Sequence, residues 1–431
     1  MLAPWLFLLL VPLAVLALRE PRWAVLVLLA GLPAYLVRAT ALGVPSTLLE
    51  LGIYTVLLVL VVRGDWRDWR AFNWQRQSGW LLPLALWLLA AVVAAFVAPG
   101  TRSALGIFKG WIVDPLLLGL LVFTVGLRQR SLERWVASAL GALLLGAACT
   151  SLVAYAQGLW QVTDRLRGWY DSPNVLAMYL SPVLVAAAVW WVGGATNLAA
   201  VRVRYAWFAG LAAVASGLVL TGSYAAVASV VVGVAAGCLN LGASSAKYGR
   251  WLCTAVLVLG FSLPWVVATT GYRHGPAHVN ARYGTTSSEV RLVFWREATA
   301  VLAERPWLGL GLGGWQPYFL EVAERHGYLS IKNAGLAIEL WYASLFPHNL
   351  YLATWLALGL PGVSALIWVS LRSFASVPAG SLTGSASLAA LAAILVQGAV
   401  DTPLFKNDLA VLWWLAVLGT AAAAGYRRVT L

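Results

Sequence analysis

Apolar residues run along this chain in near-continuous stretches of 17 to 24 residues, without the alternation of a half-buried strand or the one-sided stripe of a soluble helix. A helix crossing roughly 30 Å of hydrocarbon needs about 20 such residues, so each stretch is a candidate span. Thirteen are read: 2–18, 23–40, 46–62, 80–98, 111–127, 135–158, 174–193, 205–221, 223–240, 251–270, 348–370, 386–402 and 409–425. The first two are short, which leaves a tight helical pair, and hence twelve full spans, as the alternative. Arg19, Glu20, Pro21 and Arg22 follow the first stretch where a cleavable leader would carry small residues, so no cleaved signal is expected. The predicted fold class is an all-α, polytopic membrane helix bundle.

One long polar interruption breaks this pattern, at 270–347. The predicted organisation is an N-terminal bundle over 1–269, a large loop over 270–347 and C-terminal spans over 348–431. The loop is too rich in Trp, Tyr and Leu to be disordered, and loops longer than about 12–15 residues are usually functional. Ser287-Ser288-Glu289 reads as a helix start, followed by a helix to Ala303 that Pro306 ends. Arg291, Trp295, Ala298 and Leu302 share one of its faces. A second helix is expected over 317–325, and a Gly/Ser linker over 379–387.

Composition agrees with the pattern. Sixty-one per cent of residues are apolar and 10% charged, with a mean hydropathy of +0.81; a soluble domain carries about 25% charged residues. Cys149, Cys238 and Cys253 each sit inside an apolar run and read as small core residues, with no disulfide expected. The net charge of +13 would suggest nucleic acid in a soluble protein, but here the basic residues flank spans and report orientation. Alternate short loops hold 16 and 6 Lys and Arg, so the first set is cytoplasmic and 270–347 faces outward. No nucleic-acid partner is expected.

The loop and its border hold all four histidines, His274, His278, His326 and His348. His348 opens a span in Phe346-Pro347-His348-Asn349, where it could take a proton from a hydroxyl or simply cap the helix. Arg291, Arg296 and Arg167 are guanidinium groups on the outer side, suited to a phosphate. The two loop arginines could equally pair with Glu289, Glu297 or Glu304. Glu50, Asp114 and Asp401 are acids within or bordering spans, where ionisable groups are functional candidates. Asp114 lies five residues after Lys109 and could form a local pair; Asp401 could orient His348 or only cap a turn. Gly309-Leu310-Gly311-Leu312-Gly313-Gly314 fits G-x-G-x-x-G literally, yet it follows a helix and Pro306, not a strand, so a dinucleotide site is rejected. A tight loop allowing backbone approach to the membrane or a ligand is expected instead. Trp295, Trp307, Trp315 and Trp341 could stack on sugar rings. His274-x3-His278 lacks nearby carboxylates, so no metal is expected.

His348-Asn349, nine residues, Gly359, two residues and Gly362 match the pattern H-[NSQ]-x9-G-x2-[GTY]. With Arg291-x3-Trp295, Pro306-Trp307-Leu308-Gly309-Leu310-Gly311 and Ser172-Pro173-Asn174, the chain resembles the O-antigen ligase and O-antigen polymerase superfamily over roughly 165–410. The resemblance implies a GT-C-like fold of 12–13 spans and a metal-independent, inverting glycosyltransferase of the bacterial cytoplasmic membrane, without cofactor, acting on its periplasmic or extracellular face. Its implied partners are an undecaprenyl-pyrophosphate-linked glycan donor, a glycan or lipid acceptor, and membrane lipids. His348 is then the general base and Arg291 a pyrophosphate ligand. The family's T-x-S-R stretch reads Thr221-Gly222-Ser223-Tyr224 here, so Tyr224 stands where a second arginine is common, and Arg167 or Lys109 would substitute, with Arg296 a further donor-pyrophosphate candidate. Asn349, Asp401 and Tyr224 complete the site as supporting residues. The competing readings are a flippase or transporter of lipid-linked glycans, with Glu50, Asp114 and Asp401 as coupling acids, and a protein O-oligosaccharyltransferase.

Overall fold

A helix that is apolar on every side has no face to turn to water, so protein or lipid must cover it. The computed structural model describes residues 8–41, 44–65, 67, 78–161, 164–194, 201–242, 258, 287–325 and 346–425, and such helices dominate them. The expected tenth span at 251–270, with His274, His278, His326 and Trp341, lies outside the described residues.

In chain order the helices are α1 (Leu10–Arg19), α2 (Pro21–Ala30), α3 (Leu48–Val62), α4 (Ser78–Val97), α5 (Thr101–Phe108), α6 (Asp114–Leu127), α7 (Leu132–Ala156), α8 (Pro173–Gly194), α9 (Val201–Leu220) and α10 (Tyr224–Leu241). After them come α11 (Ser287–Glu304), α12 (Trp315–Arg325), α13 (Leu350–Ser376), α14 (Leu382–Gln397) and α15 (Asn407–Gly425). A π turn at Lys109–Val113 joins α5 to α6. Eight described helices are long and apolar enough to cross a membrane, counting α5–α6 as one, and α1, α2, α3 and α14 are shorter apolar helices. The chain is an all-α, multi-pass membrane bundle.

Three expected spans differ in extent. The stretch 23–40 stays helical only to Ala30; Gly31 and Pro33 end it in a 3-10 turn, Leu32–Leu36. A two-stranded hairpin follows, β1 (Arg38–Ala41) against β2 (Val44–Thr47), with Arg38 opposite Thr47. Thr47 and Glu50 then form a capping box that starts α3. The span read at 111–127 begins ten residues earlier, at Thr101, because the π turn lets the helix continue. The expected Gly/Ser linker is largely helix: the Ser381 side chain accepts from the Gly384 N–H and starts α14, which Gly398 ends. That early end frees 398–406 to form a loop at the same end of the bundle as the start of α13.

α8 and α14 are the most enclosed helices, and α10 packs closely on both. Gly233 of α10 permits this, since a Cβ there would lie 2.8 Å from the Ala389 carbonyl oxygen; small residues let membrane helices approach closely. Around them Leu58, Val62, Phe96, Val219 and Phe208 point outward as exposed apolar groups, as lipid-facing residues do. Cys149 and Cys238 share that exposure and are free thiols, so they are not the core residues expected from their apolar runs. A weakly polar thiol sits as readily against lipid as inside the protein.

α11 and α12 form a second apolar cluster over the start of α13. Phe294, Trp295, Ala298, Leu302, Trp315 and Phe319 are buried there against Leu352 and Leu356. The face read from the sequence on α11 is therefore the one that seats it.

Candidate active site

The glycine-rich turn explains how α11 and α12 are held. Gly359 interrupts α13 with φ 67° and ψ −173°, and a Cβ there would come 2.2 Å from the Trp307 carbonyl oxygen. Only glycine fits that backbone and that contact. The break releases backbone groups that then pair with the turn: Leu360 N–H donates to Trp307 O at 3.0 Å, and Leu310 N–H to Leu356 O at 2.7 Å. On the other side Leu312 N–H donates to Ala94 O of α4 at 3.1 Å. The glycines thus bring backbone against two helices. Trp295 and Trp315 are buried, while Trp307 is exposed.

Asn349 caps α13: its Oδ1 accepts from Leu352 N–H at 2.9 Å, and its Nδ2 donates to Ala399 O at 2.8 Å. Leu350 N–H donates to Gly398 O at 2.7 Å, which draws the 398–406 loop against the helix start. His348, one residue before the cap, has φ 49°, a left-handed conformation uncommon outside glycine. Trp295 Nε1 donates to the His348 carbonyl at 3.3 Å, and Phe294 stacks on the imidazole at 5.9 Å between centroids. Backbone held in so sparsely populated a region persists only where its surroundings fix it.

Asp401 is the hub. Its Oδ1 lies 2.9 Å from His348 Nδ1, and its Oδ2 lies 3.5 Å from Arg291 Nη2. The carboxylate is 2% exposed, the imidazole 28% and the Arg291 side chain 15%. Arg291 Nε also donates to Val400 O at 2.7 Å. A buried carboxylate accepting from Nδ1 fixes the tautomer and leaves Nε2 free to accept a proton.

A second guanidinium reaches this cluster, and it is not among the expected four. Arg165, in the loop before α8, donates from Nε to Thr221 O and from Nη2 to Asn174 Oδ1, both at 2.7 Å. It thereby occupies the Thr221-Gly222-Ser223 turn, packed beside Gly222. Burial pushes its pKa below the usual arginine range, and the nearby charge of Arg291 acts in the same direction while Asp401 opposes it. A guanidinium whose charge a neighbouring cation disfavours is stabilised by an anion beside it. Tyr224, beside the same turn, is 91% exposed.

The expected phosphate ligands are thus dispersed. Arg167 donates to Tyr170 O at 3.4 Å, and Arg296 is exposed on α11. Lys109 contacts Glu50 and lies 3.3 Å from Asp114, while Asn407 Nδ2 donates to Glu50 Oε1 at 2.8 Å. With two carboxylates on one ammonium, that cluster is ill suited to a further anion. No group of three or more His, Cys, Asp or Glu able to hold a metal occurs among the described residues.

No curated protein matches the chain. Residues 208–367 match the family model described as O-antigen ligase, a stretch that includes Arg291, His348, Gly359 and Gly362 and stops short of Arg165 and Asp401. Over residues 208–367, which include the break at Gly359, the chain is similar to the O-antigen ligase family, and the helical membrane bundle agrees with that likeness.

Proposed function

We propose that the chain transfers a glycan from an undecaprenyl-pyrophosphate-linked donor to an acceptor hydroxyl on the outer face of the bacterial cytoplasmic membrane, without metal and with inversion. The observation that carries this reading is Asp401, which contacts the imidazole of His348 through one oxygen and the guanidinium of Arg291 through the other. A base and an anion ligand are thereby held side by side.

His348 Nε2 takes the proton of the acceptor hydroxyl as its oxygen attacks the anomeric carbon. The new bond is carbon to acceptor oxygen; the broken bond is carbon to pyrophosphate oxygen, on the opposite face of the ring. Arg291 and Arg165 stabilise the charge that develops on the departing pyrophosphate, with Arg296 and Arg167 as outer contributors. Asn349 and Tyr224 support the site, Asn349 by fixing the start of α13. The acceptor is another glycan, as in a polymerase, or a lipid core, as in a ligase.

The test is purified full-length protein with a lipid-linked donor in EDTA, comparing wild type with His348→Ala and His348→Asn. Asparagine tolerates the left-handed backbone, so it removes the base with least disturbance of the fold. A positioned base contributes about 100- to 10,000-fold, and both variants should lose transfer in that range while retaining donor binding. Wild-type rates in either variant would reject the base, and loss of wild-type activity in EDTA would reject the metal-free route.

A further inference from the structure

Beside the catalytic cluster, and separate from its arginines, a cavity of about 590 Å³ opens between the α4–α5 turn, the glycine-rich turn and the start of α13. Phe346 and Pro347, the two residues before His348, form part of its wall, and Phe405 and Lys406 belong to the short loop that carries Asp401. The cavity therefore adjoins the base through both chain segments that build the base.

Its surface is aromatic with a few polar groups. Trp111, Phe346 and Phe405 form a three-ring cluster, with centroids 5.5 to 5.7 Å apart. Trp315 and Tyr35 also line it, and the indole N–H and phenol hydroxyl of these two have no hydrogen-bond partner among the described residues, although both atoms are buried. The Trp315 side chain belongs to a residue that is only 6% exposed. Both atoms are enclosed behind the wall, so the rings present their apolar surface to the cavity. Gln316 adds an amide. No arginine lines the cavity, and its one cation, Lys406, contacts Asp171. A neutral ligand with flat apolar faces and hydroxyl edges fits these walls; an anion does not.

We propose that this cavity is a saccharide subsite that holds the ring bearing the acceptor hydroxyl. The inference rests on the transfer reaction proposed above, in which the arginines take the donor's pyrophosphate and leave this side of His348 to the acceptor. Ring stacking on the aromatic wall and a hydrogen bond to Gln316 would present the hydroxyl toward His348.

The experiment is saturation-transfer NMR on the full chain in lipid nanodiscs, with methyl glucoside, methyl galactoside, methyl mannoside and methyl N-acetylglucosaminide as probes and farnesyl phosphate as the isoprenoid control. Ala357, on α13, lines the cavity and is partly exposed, so Ala357→Phe fills the space without touching His348 or the arginines. Gln316→Leu is the milder variant, should Ala357→Phe fail to fold. At least one methyl pyranoside should bind wild type, lose its signal in Ala357→Phe, weaken roughly 3- to 10-fold in Gln316→Leu, and bind His348→Asn unchanged. The proposal is overturned if no pyranoside binds, if binding survives both cavity variants, or if the cavity variants abolish only farnesyl phosphate binding, which would assign the space to an isoprenoid tail. If saccharide binding follows the expected pattern while His348→Asn transfers as wild type, the catalytic reading fails and the subsite stands.

Discussion

Asp401 holds His348 by Nδ1, the ring nitrogen nearer the backbone: the carboxylate lies 2.9 Å away, which leaves Nε2 as the nitrogen open to a substrate. The same carboxylate also neutralises Arg291, so one buried charge sets the orientation of the base and the balance of the anion site. Asp401→Asn keeps the shape and removes the charge. It is expected to lower transfer by at least about tenfold, as loss of an orienting outer carboxylate does, with donor affinity little changed. Steady-state kinetics with donor and acceptor varied separately checks this; wild-type turnover in Asp401→Asn would dismiss the orienting role.

The charge of Arg291 disfavours the protonated form of Arg165, so the two guanidinium groups belong to one electrostatic cluster. A pyrophosphate between them should therefore stabilise the protein. Thermal unfolding of the purified chain is expected to shift upward with inorganic pyrophosphate, corresponding to about 2.7 kcal/mol at a hundredfold excess over the dissociation constant. Arg165→Ala and Arg291→Ala should each remove most of the shift, and the double variant should lose little more, since one ligand bridges both. Arg291→Lys keeps charge but loses the bidentate fork, so it should transfer more slowly than wild type. An undiminished shift in either alanine variant would strike that arginine from the site.

The spans were legible because hydropathy is a local property, whereas the break at Gly359 was not: the pattern reads 348–370 as one span, and Gly359 enters only as part of a motif. Asp401 was legible in part: its place at the end of a span put it at the level of His348, but whether it oriented the ring or capped a turn depends on a contact across 53 residues. Arg165 was not singled out. Its partners Thr221 and Asn174 are 56 and 9 residues away, and nothing in the pattern of its loop distinguishes it from Arg167. The one available signal was Tyr224, which left the Thr221–Ser223 turn without the arginine common in the resembling family. Lys109 pairs with Asp114, as their spacing of five residues allowed, and also with Glu50, a contact across 59 residues that no local pattern carries.

Gly359 ties the motif to the site. Alanine there would force a left-handed backbone on a residue with a Cβ and drive it against the Trp307 carbonyl. The strain alone costs of order 1–3 kcal/mol. Relief would require separating the glycine-rich turn from α13, and with it the seating of α11, which carries Arg291 and Trp295. Gly359→Ala is therefore expected to lower both the unfolding temperature and transfer, whereas Gly380→Ala, with an open surrounding but the same sign of φ, should leave transfer near wild type. Equal loss of transfer in the two variants would show that the backbone strain, not the clamp on α11, is what matters.

The orientation of the bundle decides which substrates can reach these residues. The start of α13, the 398–406 loop and the turn at 221–223 meet at one end through the contacts of His348, Asp401, Arg165 and Arg291. The short loops at the other end carry Arg128, Arg130, Arg134, Arg202 and Arg204, part of the 16 to 6 excess of basic residues, and such loops stay in the cytoplasm. In a background with Cys149, Cys238 and Cys253 replaced, Ser287→Cys should react with a membrane-impermeant maleimide in intact cells, and Arg130→Cys only after permeabilisation. The reverse labelling would turn His348 toward the cytoplasm and remove the case for a donor presented on the outer face, while leaving the imidazole, carboxylate and guanidinium geometry intact.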